Sequence, residues 1–339
     1  MLKVTLKDVA KRAQVTPPVV SSVLHNKSKS VRVSEATAER VRQAAEDLGY
    51  RVNVFARNFR AQRTNTIGVL NGMGMQRPTF LHGPRYFAAL MDGIVDCAFR
   101  HDYSVTLCPQ LLGESPQYGL GDGRFDGLIW YSIPPSETVQ RYLQDCLVPL
   151  VIIHGHERDF DSKYPTVICD NAGGIGLAVD HLVGLGHKKI GFAIESDAMN
   201  VESLERLAGF EHHMKRHGLP HSVLDVQRDR SALRDYLSKG PDHTALIVHS
   251  DGLAGEIIRA APEFNVDIPG QLSVVGFDST EFCDELRPRL TSVHQPLTEM
   301  GACATEKLMT LLAGNEPQPL ESVLACSLDI RESTGPIQL

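Results

Sequence analysis

Long apolar runs are missing from this 339-residue chain. No stretch reaches the ~18 apolar residues that a membrane-spanning helix needs, so no membrane partner is expected. The N-terminal stretch is amphipathic and charged, without the apolar h-region or small-residue cleavage site of a secretory leader, so secretion is not expected either. Cysteine is sparse, with seven residues and no C-x-x-C pair. Cys97, Cys108, Cys146, Cys169, Cys283, Cys303 and Cys326 are dispersed, which suits buried free thiols in a reducing cytoplasm. The histidines number 14 and include His154-Gly155-His156 and His212-His213. No cysteine or carboxylate accompanies them at a recognised ligand spacing, so neither a metal site nor a cofactor is expected. The G-x-S-x-G elbow, the G-x-x-x-x-G-K-S/T loop and H-E-x-x-H are all absent, and Gly119-x-Gly121-x-Gly123 has the wrong spacing for a dinucleotide loop. Catalysis is not expected.

What is present is a composition of 42% apolar and 22% charged residues, that of a soluble globular protein long enough for two or three domains. The net charge of −7 hides a division. Residues 1–63 hold 13 Lys/Arg and 5 Asp/Glu, a net of +8, and the remainder holds 21 and 36, a net of −15. A basic head fit to grip a polyanion is thus joined to an acidic body with another task.

Within the head, Thr5 to Leu24 reads as two short helices around a tight turn. Val9, Ala10 and Ala13 fall at helical spacing, and Gln14-Val15 forms the turn. Thr16 stands at an N-cap position, where its hydroxyl can accept an orphan N–H. Pro17 and Pro18 follow in the first turn, where a missing N–H costs little. Val19, Val20, Val23 and Leu24 line one face of the second helix, with Ser21 and Ser22 on another. The pattern is that of a helix-turn-helix, whose second helix enters the major groove, with an ordinary helical hairpin as the alternative. His25-Asn26-Lys27-Ser28-Lys29-Ser30 is a basic loop suited to phosphates or simply to solvent. Ser34 caps a third helix with Val41, Ala44, Ala45 and Leu48 inside and Gly49 as its stop. From Asn53 a short fourth helix is predicted, with Arg57, Arg60 and Arg63 on one side. A helix this short is marginal alone.

Thr5-Leu6, Asp8-Val9-Ala10, Ala13, Val15-Thr16, Val20-Ser21, Val23-Leu24, Arg40-Val41, Tyr50, Asn53, Ala56-Arg57 and Thr66-x-Gly68 together resemble the lactose-repressor (LacI) family of bacterial transcription regulators. The resemblance implies a major-groove reading head and a hinge helix that wedges an apolar residue, here Phe59, into the minor groove. DNA contacts are expected at Thr5, Thr16, Pro17, Pro18, Ser21, Ser22, His25, Arg32, Ser34, Thr37 and Tyr50. The hinge adds Asn53, Ala56, Arg57 and Phe59. The family commonly has glycine where this chain has Gln14, and leucine at Phe59. Many relatives carry arginine at Ser22, and a bidentate arginine–guanine pair is worth ~1–3 kcal/mol of discrimination. Pro17, Pro18 and Ser22 offer no such pair, so this head is expected to depend on phosphate contacts and DNA shape.

From Thr66 the pattern becomes α/β. Strands are predicted at Ile67–Leu70, Val105–Cys108, Gly127–Trp130, Val148–His154, Thr166–Cys169, Lys189–Ala193, Ala245–His249, Ser273–Phe277 and Thr291–Val293. Helices are predicted at Tyr86–His101, Ser136–Cys146, Gly173–Leu185, Glu205–His217, Gly252–Ala261 and Pro296–Leu312. Alternation of this kind means parallel sheets covered on both faces, with ligands beyond the C-terminal strand ends. The resemblance continues through 167–191, Arg206-Leu207-Ala208-Gly209-Phe210, Gly276-Phe277-Asp278, Pro288-x-Leu290-Thr291 and Arg331-Glu332-Ser333, and is poor over 71–125. The implied fold is an all-α helix-turn-helix head (1–51), a hinge (52–65) and a periplasmic-binding-protein-like α/β body with two lobes and two parallel sheets (66–339). The lobes comprise 66–168 with 295–325, and 169–293 with 327–339. Crossovers are expected near 168, 294 and 326.

Arg206 and Asp278 fall where sugar-responsive relatives meet ligand hydroxyls; the alternative is an interlobe salt bridge without ligand. Asp251 would point into the cleft mouth, although relatives often precede it with asparagine and here Ser250 stands there. Asp170 and Asn171, at the first crossover, either touch ligand or cap a helix. Asn71 and Trp130 are the candidates from the other lobe, Trp130 stacking on a sugar or filling the core. The two histidines of His154-Gly155-His156 end a strand near the cleft. The expected function is a cytoplasmic, nucleoid-associated regulator, a repressor working as a homodimer or higher oligomer on pseudo-palindromic double-stranded operator DNA. Its operator affinity would respond to a small sugar-like effector between the lobes. The alternative is a solute-binding protein for transport, which shares the body but lacks the head.

Overall fold

The structure, a computed structural model, describes residues 4–25, 33–51, 63–71, 86–108, 123–131, 148–156, 159, 163–195, 200–227 and 229–337. It divides into two compact units, Met1–Thr64 and Asn65–Leu339. Residues 52–62 of the predicted hinge (52–65), helix Ser136–Cys146, Arg32 and the basic loop after His25 lie outside the described residues, as do the side chains of His25 and Asn71.

The first unit holds α1 (Leu6–Ala13), α2 (Pro17–His25) and α3 (Glu35–Asp47). Asp8 reaches back to start α1, accepting from the Thr5 N–H at 2.8 Å and from its hydroxyl at 2.7 Å. The helix ends on Gln14, held left-handed at φ 55°, and the Val15 N–H returns to the Ala10 carbonyl at 3.0 Å. That reversal sets the turn, after which Val19 and Val20 N–H groups share the Thr16 carbonyl and open α2. Ser34 caps α3 by accepting from the Thr37 N–H at 3.3 Å. Arg40 Nε donates to the Ala13 carbonyl at 3.0 Å, covering an orphan at the end of α1. The core is made of small side chains, Val9, Ala10, Ala13, Val20, Val41, Ala44 and Ala45, with Leu24, Leu48 and Tyr50 packed on it.

The second unit is built on two six-stranded sheets. Strands β1 (Thr66–Asn71), β2 (Ser104–Cys108), β3 (Gly127–Tyr131), β4 (Leu150–Ile153) and β5 (Thr166–Cys169) enter the first. Strands β6 (Ile190–Ile194), β7 (Ser222–Asp225), β8 (Ala245–Val248), β9 (Ser273–Asp278) and β10 (Thr291–His294) enter the second. Then β11 (Glu321–Leu324) returns to the first and β12 (Ser327–Asp329) to the second. The orders are β11-β5-β4-β3-β1-β2 and β12-β10-β9-β8-β6-β7. Every pairing is parallel except β10 with β12, so the expectation of two parallel sheets is met save for one antiparallel edge. The chain passes between sheets three times: after Cys169, after His294 and between Leu324 and Ser327.

The helices are α4 (Tyr86–Arg100), α5 (Asn171–Gly184), α6 (Val201–Arg216), α7 (Ser231–Ser238), α8 (Asp251–Ala260), α9 (Phe282–Glu285) and α10 (Leu297–Leu312). Central strands such as β3, β4 and β8 are buried along their whole length, as a sheet covered on both faces requires. Trp130 belongs to this core, with Leu70, Cys108, Leu128, Leu150 and Ile152. Helices α4 and α10 cross at contact: a Cβ on Gly93 would stand 1.9 Å from the Thr298 carbonyl oxygen, and one on Gly301 2.2 Å from that of Leu90. Among the described residues no helix is long and apolar enough to cross a membrane.

Candidate functional site

In the head, the entry to α2 is the face left open. Thr16, Pro17 and Pro18 are exposed, and Ser21 and Ser22 half-buried, while Val20 is fully buried against α1 and α3. The proline pair costs α2 nothing, because the first-turn N–H groups have no helical acceptor. It leaves two apolar rings and three hydroxyls on the open face of Thr16 and α2, a surface without a long cationic donor. Thr5 and Ser34 each stand at a helix start, exposed, where free backbone N–H groups and a helix dipole favour an anion. Tyr50 packs on the head core through part of its ring.

In the body, the polar residues gather where β4, β5, β8 and β9 end. Gly276 makes this possible within the second sheet: a Cβ there would meet Asp251 Oδ1 at 2.4 Å. Arg206, 7% exposed, projects from α6 over that edge. Its Nε donates to Asn171 Oδ1 at 2.9 Å and its Nη1 to the His249 carbonyl at 2.6 Å. The guanidinium carbon lies 3.6 Å from the centroid of the Phe277 ring. Its Nη2 approaches Asp278 Oδ1 at 3.8 Å. Burial pushes the Asp278 carboxyl up to about 7, against the pull of Arg206 and helped by Asp251. The backbone at Asp278 is held at φ 119° and that of Ser279 at φ 51°, so the turn after β9 is constrained to aim this carboxyl.

Facing this edge are residues of the first sheet's lobe. His154, at φ 67°, and His156 follow β4. His156 Nδ1 meets Glu321 Oε2 at 3.1 Å within its own lobe, and its Nε2 contacts Glu205 on α6 across the cleft. Glu205 Oε2 in turn accepts from Asn171 Nδ2 at 2.8 Å. His154 Nδ1 stands 3.6 Å from Glu202 Oε1, both side chains being buried. Neither His154 Nδ1 nor Glu202 Oε2 has a hydrogen-bond partner. Burial drives the Glu202 carboxyl up to about 7 and the His154 imidazole down to about 3, so both are neutral in the folded protein near pH 6. His154, His156, Cys169, Asn171, Glu202 and Glu205 line a small pocket between the lobes. The set offers hydroxyl-compatible donors and acceptors, and Arg206 is tied to it through Asn171.

Several expected positions fall elsewhere. Asp251 is buried within one lobe, accepting from Ser292 Oγ at 2.5 Å, Cys283 Sγ at 3.1 Å and the Thr280 N–H at 3.1 Å. Its oxygens are spent inside the lobe rather than at the cleft mouth. Asp170 caps α5 by accepting from the Gly173 N–H at 2.8 Å. Trp130, 5% exposed, fills the core. Arg206 and Asp278 sit on the same lobe, so their pair is not an interlobe bridge; His156 and Glu205 make that link. Glu202, Glu205 and Glu321 escaped the sequence reading, because a glutamate on an amphipathic helix or edge strand reads as a solvated one.

Residues 5–53 match the family of bacterial regulatory proteins, lacI family, and residues 179–334 match a periplasmic binding protein-like domain. The HTH-type transcriptional repressor PurR of Edwardsiella ictaluri is 30% identical over 319 residues, covering 90% of this chain and 89% of its own. The Lac repressor dimer bound to operator and an anti-inducer superimposes with a TM-score of 0.80 at 25% identity, over 98% of this chain and 99% of that one. A complex of the transcriptional regulator CelR with cellobiose gives 0.68 at 25% identity, over 98% and 100%. With the head, the two-lobed body and these relatives in register, the chain belongs to the LacI family of bacterial regulatory proteins and is a DNA-binding transcriptional regulator, neither an enzyme nor a transport protein.

Proposed function

We propose that this regulator is a repressor that binds a carbohydrate between its two lobes and changes its operator affinity in response. The observation that carries this reading is the placement of Arg206: its guanidinium carbon lies over the Phe277 ring, its Nε donates to Asn171, which lines the interlobe pocket, and its Nη2 stands beside Asp278. A carboxyl that is half protonated near neutral pH can donate to or accept from a sugar hydroxyl, and a fixed guanidinium donates to ring or hydroxyl oxygens. Asn171, His154, Glu202 and Glu205 join Arg206 and Asp278 as proposed contacts, with Asn71 from the first lobe. The cellobiose complex of CelR supports the ligand class.

On DNA, the proposed assembly is a homodimer with one head per half-site of a pseudo-palindrome. The Lac repressor dimer on its operator supports it. Residues 1–51 form the reading head, 52–65 the hinge and 66–339 the effector body. Thr16, Pro17, Pro18, Ser21 and Ser22 meet the major groove, and Thr5, Ser34, Thr37 and Tyr50 meet phosphates. Asn53, Ala56, Arg57 and Phe59 act in the minor groove beside the hinge. Operators lie on the chromosome, so the site of action is the cytoplasm and its nucleoid. The ligand acts only through its differential affinity for two arrangements of the lobes.

The test is a thermal-shift panel of sugars, polyols, sugar acids and nucleobases, followed by titration of operator affinity with the hit. Binding to the folded state stabilises it by ~2.7 kcal/mol at a hundredfold excess over Kd. A neutral sugar should raise Tm, and Arg206→Ala should abolish that response while leaving ligand-free operator binding intact. A hit confined to nucleobases, or a response that survives Arg206→Ala, contradicts the reading.

A further inference from the structure

Helices α4 and α10 carry, away from the cleft, a group of side chains that the regulatory mechanism does not use. Cys97 lies in the last turn of α4 and His101, four residues on, in the turn that directly follows the helix. Glu306 reaches them from α10. Cys97 Sγ donates to Glu306 Oε1 at 3.3 Å, and His101 Nε2 lies 3.2 Å from Oε1 and 3.1 Å from Oε2. One ligand atom from each of the three lies within 4.8 Å of both others. Arg100 Nη1 approaches Glu306 Oε1 at 3.8 Å, and its Nε is held by Asp96 Oδ2 at 3.3 Å.

We propose that Cys97, His101 and Glu306 form a binding site for a divalent cation of the zinc type. The donor set of one thiolate, one imidazole and one carboxylate is that of a borderline-soft ion, and it excludes magnesium and calcium, which take oxygen. The spacing also fits. Around zinc, bonds of ~2.0–2.1 Å to nitrogen and oxygen and ~2.3 Å to sulfur put neighbouring ligand atoms of a tetrahedron roughly 3.3–3.6 Å apart. The contacts of Glu306 with Cys97 and His101 are at or just below that separation, and Cys97 and His101 offer ligand atoms within 4.8 Å of each other, so side-chain adjustment brings the three onto one ion. The thiol gives its proton to solvent as the metal–sulfur bond forms, and His101 binds through the neutral Nε2. Thiolate and carboxylate then balance the two positive charges, while Arg100 stays with Asp96. Cys97 is fully buried at the base, and the side chains of His101 and Glu306 are 39% and 50% exposed, which leaves an entry path and a fourth position for water. The ion would clamp α4 to α10, the helix that follows the second crossover.

The test uses the full chain, stripped with a chelator and titrated with Co²⁺, whose bond to a thiolate gives charge-transfer absorption in the near ultraviolet. The wild type should develop that band at one equivalent per chain and lose it on adding Zn²⁺. Cys97→Ser should abolish the band, whereas Cys303→Ser, which removes the thiol of α10, should keep it. Glu306→Gln, an exposed and nearly isosteric change that leaves the fold intact, should weaken Zn²⁺ binding at least tenfold by competition with a chromophoric chelator. No band in the wild type, a band that survives Cys97→Ser, or unchanged Zn²⁺ affinity in Glu306→Gln would overturn the proposal.

Discussion

Arg206 lies with its guanidinium carbon 3.6 Å from the centroid of the Phe277 ring, so the ring packs directly against the donor group. Its three nitrogens face Asn171, the His249 carbonyl and Asp278. Lysine cannot reproduce a flat, forked donor stacked on a ring. Arg206→Lys should therefore weaken the effector identified by thermal shift at least tenfold in calorimetric titration, with ligand-free operator affinity unchanged within twofold. Unaltered effector affinity would show that the guanidinium plane is irrelevant to recognition.

The Glu202 carboxyl ionises above about 4.5 in an unfolded chain but only near 7 in the fold, because burial disfavours its charge. Between those values folding takes up a proton, so this group's contribution falls as pH rises. Glu202→Gln removes that dependence. Its stability relative to wild type should grow by about 1 kcal/mol for each pH unit between about pH 5 and 7, and level off above. Denaturant unfolding at pH 5, 6, 7 and 8 measures the trend. A constant difference would place the Glu202 titration outside this window. His154 acts in the opposite sense: its imidazole, lowered to about 3 by burial, removes stability as pH falls from 6.5.

These two groups also mark the limit of what the sequence makes legible. The helix-turn-helix, the α/β alternation and nine of the twelve strands of the described residues follow from local periodicity and caps. Strands β7, β11 and β12 are short edges whose residues are half-exposed or exposed, so no apolar run announces them. Arg206 and Asp278 are legible through their motifs. The contact of His156 with Glu205 and Glu321 joins positions 49 and 165 residues apart, and only the fold brings them together. Asp251 shows the converse: its position after β8 suggests the cleft, but Gly276 opens room beneath it and Ser292 and Cys283 draw it in.

The crossing of α4 and α10 leaves no space at Gly93, where a Cβ would stand 1.9 Å from the Thr298 carbonyl oxygen. Gly93→Ala should force the helices apart and cost about 3 kcal/mol in chemical denaturation of the body. Gly184, at the end of α5, has nothing within 4 Å of the equivalent position. Alanine there should be neutral or stabilise by up to about 1 kcal/mol. Equal effects at both positions would contradict the packing described.

Gln14 holds the left-handed turn between α1 and α2 at φ 55°. A side chain in that conformation costs about 1–2 kcal/mol, and glycine escapes most of it. Gln14→Gly should raise the stability of the head by about 1 kcal/mol, read from the head transition in calorimetry. A loss of stability would mean that the glutamine side chain makes a compensating contact.

The central claim is that the basic head holds DNA while the acidic body senses a small molecule. Fluorescence anisotropy of a labelled operator duplex, taken across a salt series with the full chain and with residues 64–339 alone, tests it most directly. The full chain should bind with a steep loss of affinity as salt rises, because cationic side chains displace counterions from phosphates. The truncated chain should show no binding yet keep its thermal response to effector. A truncated chain that still bound the duplex with the same salt dependence would contradict the account.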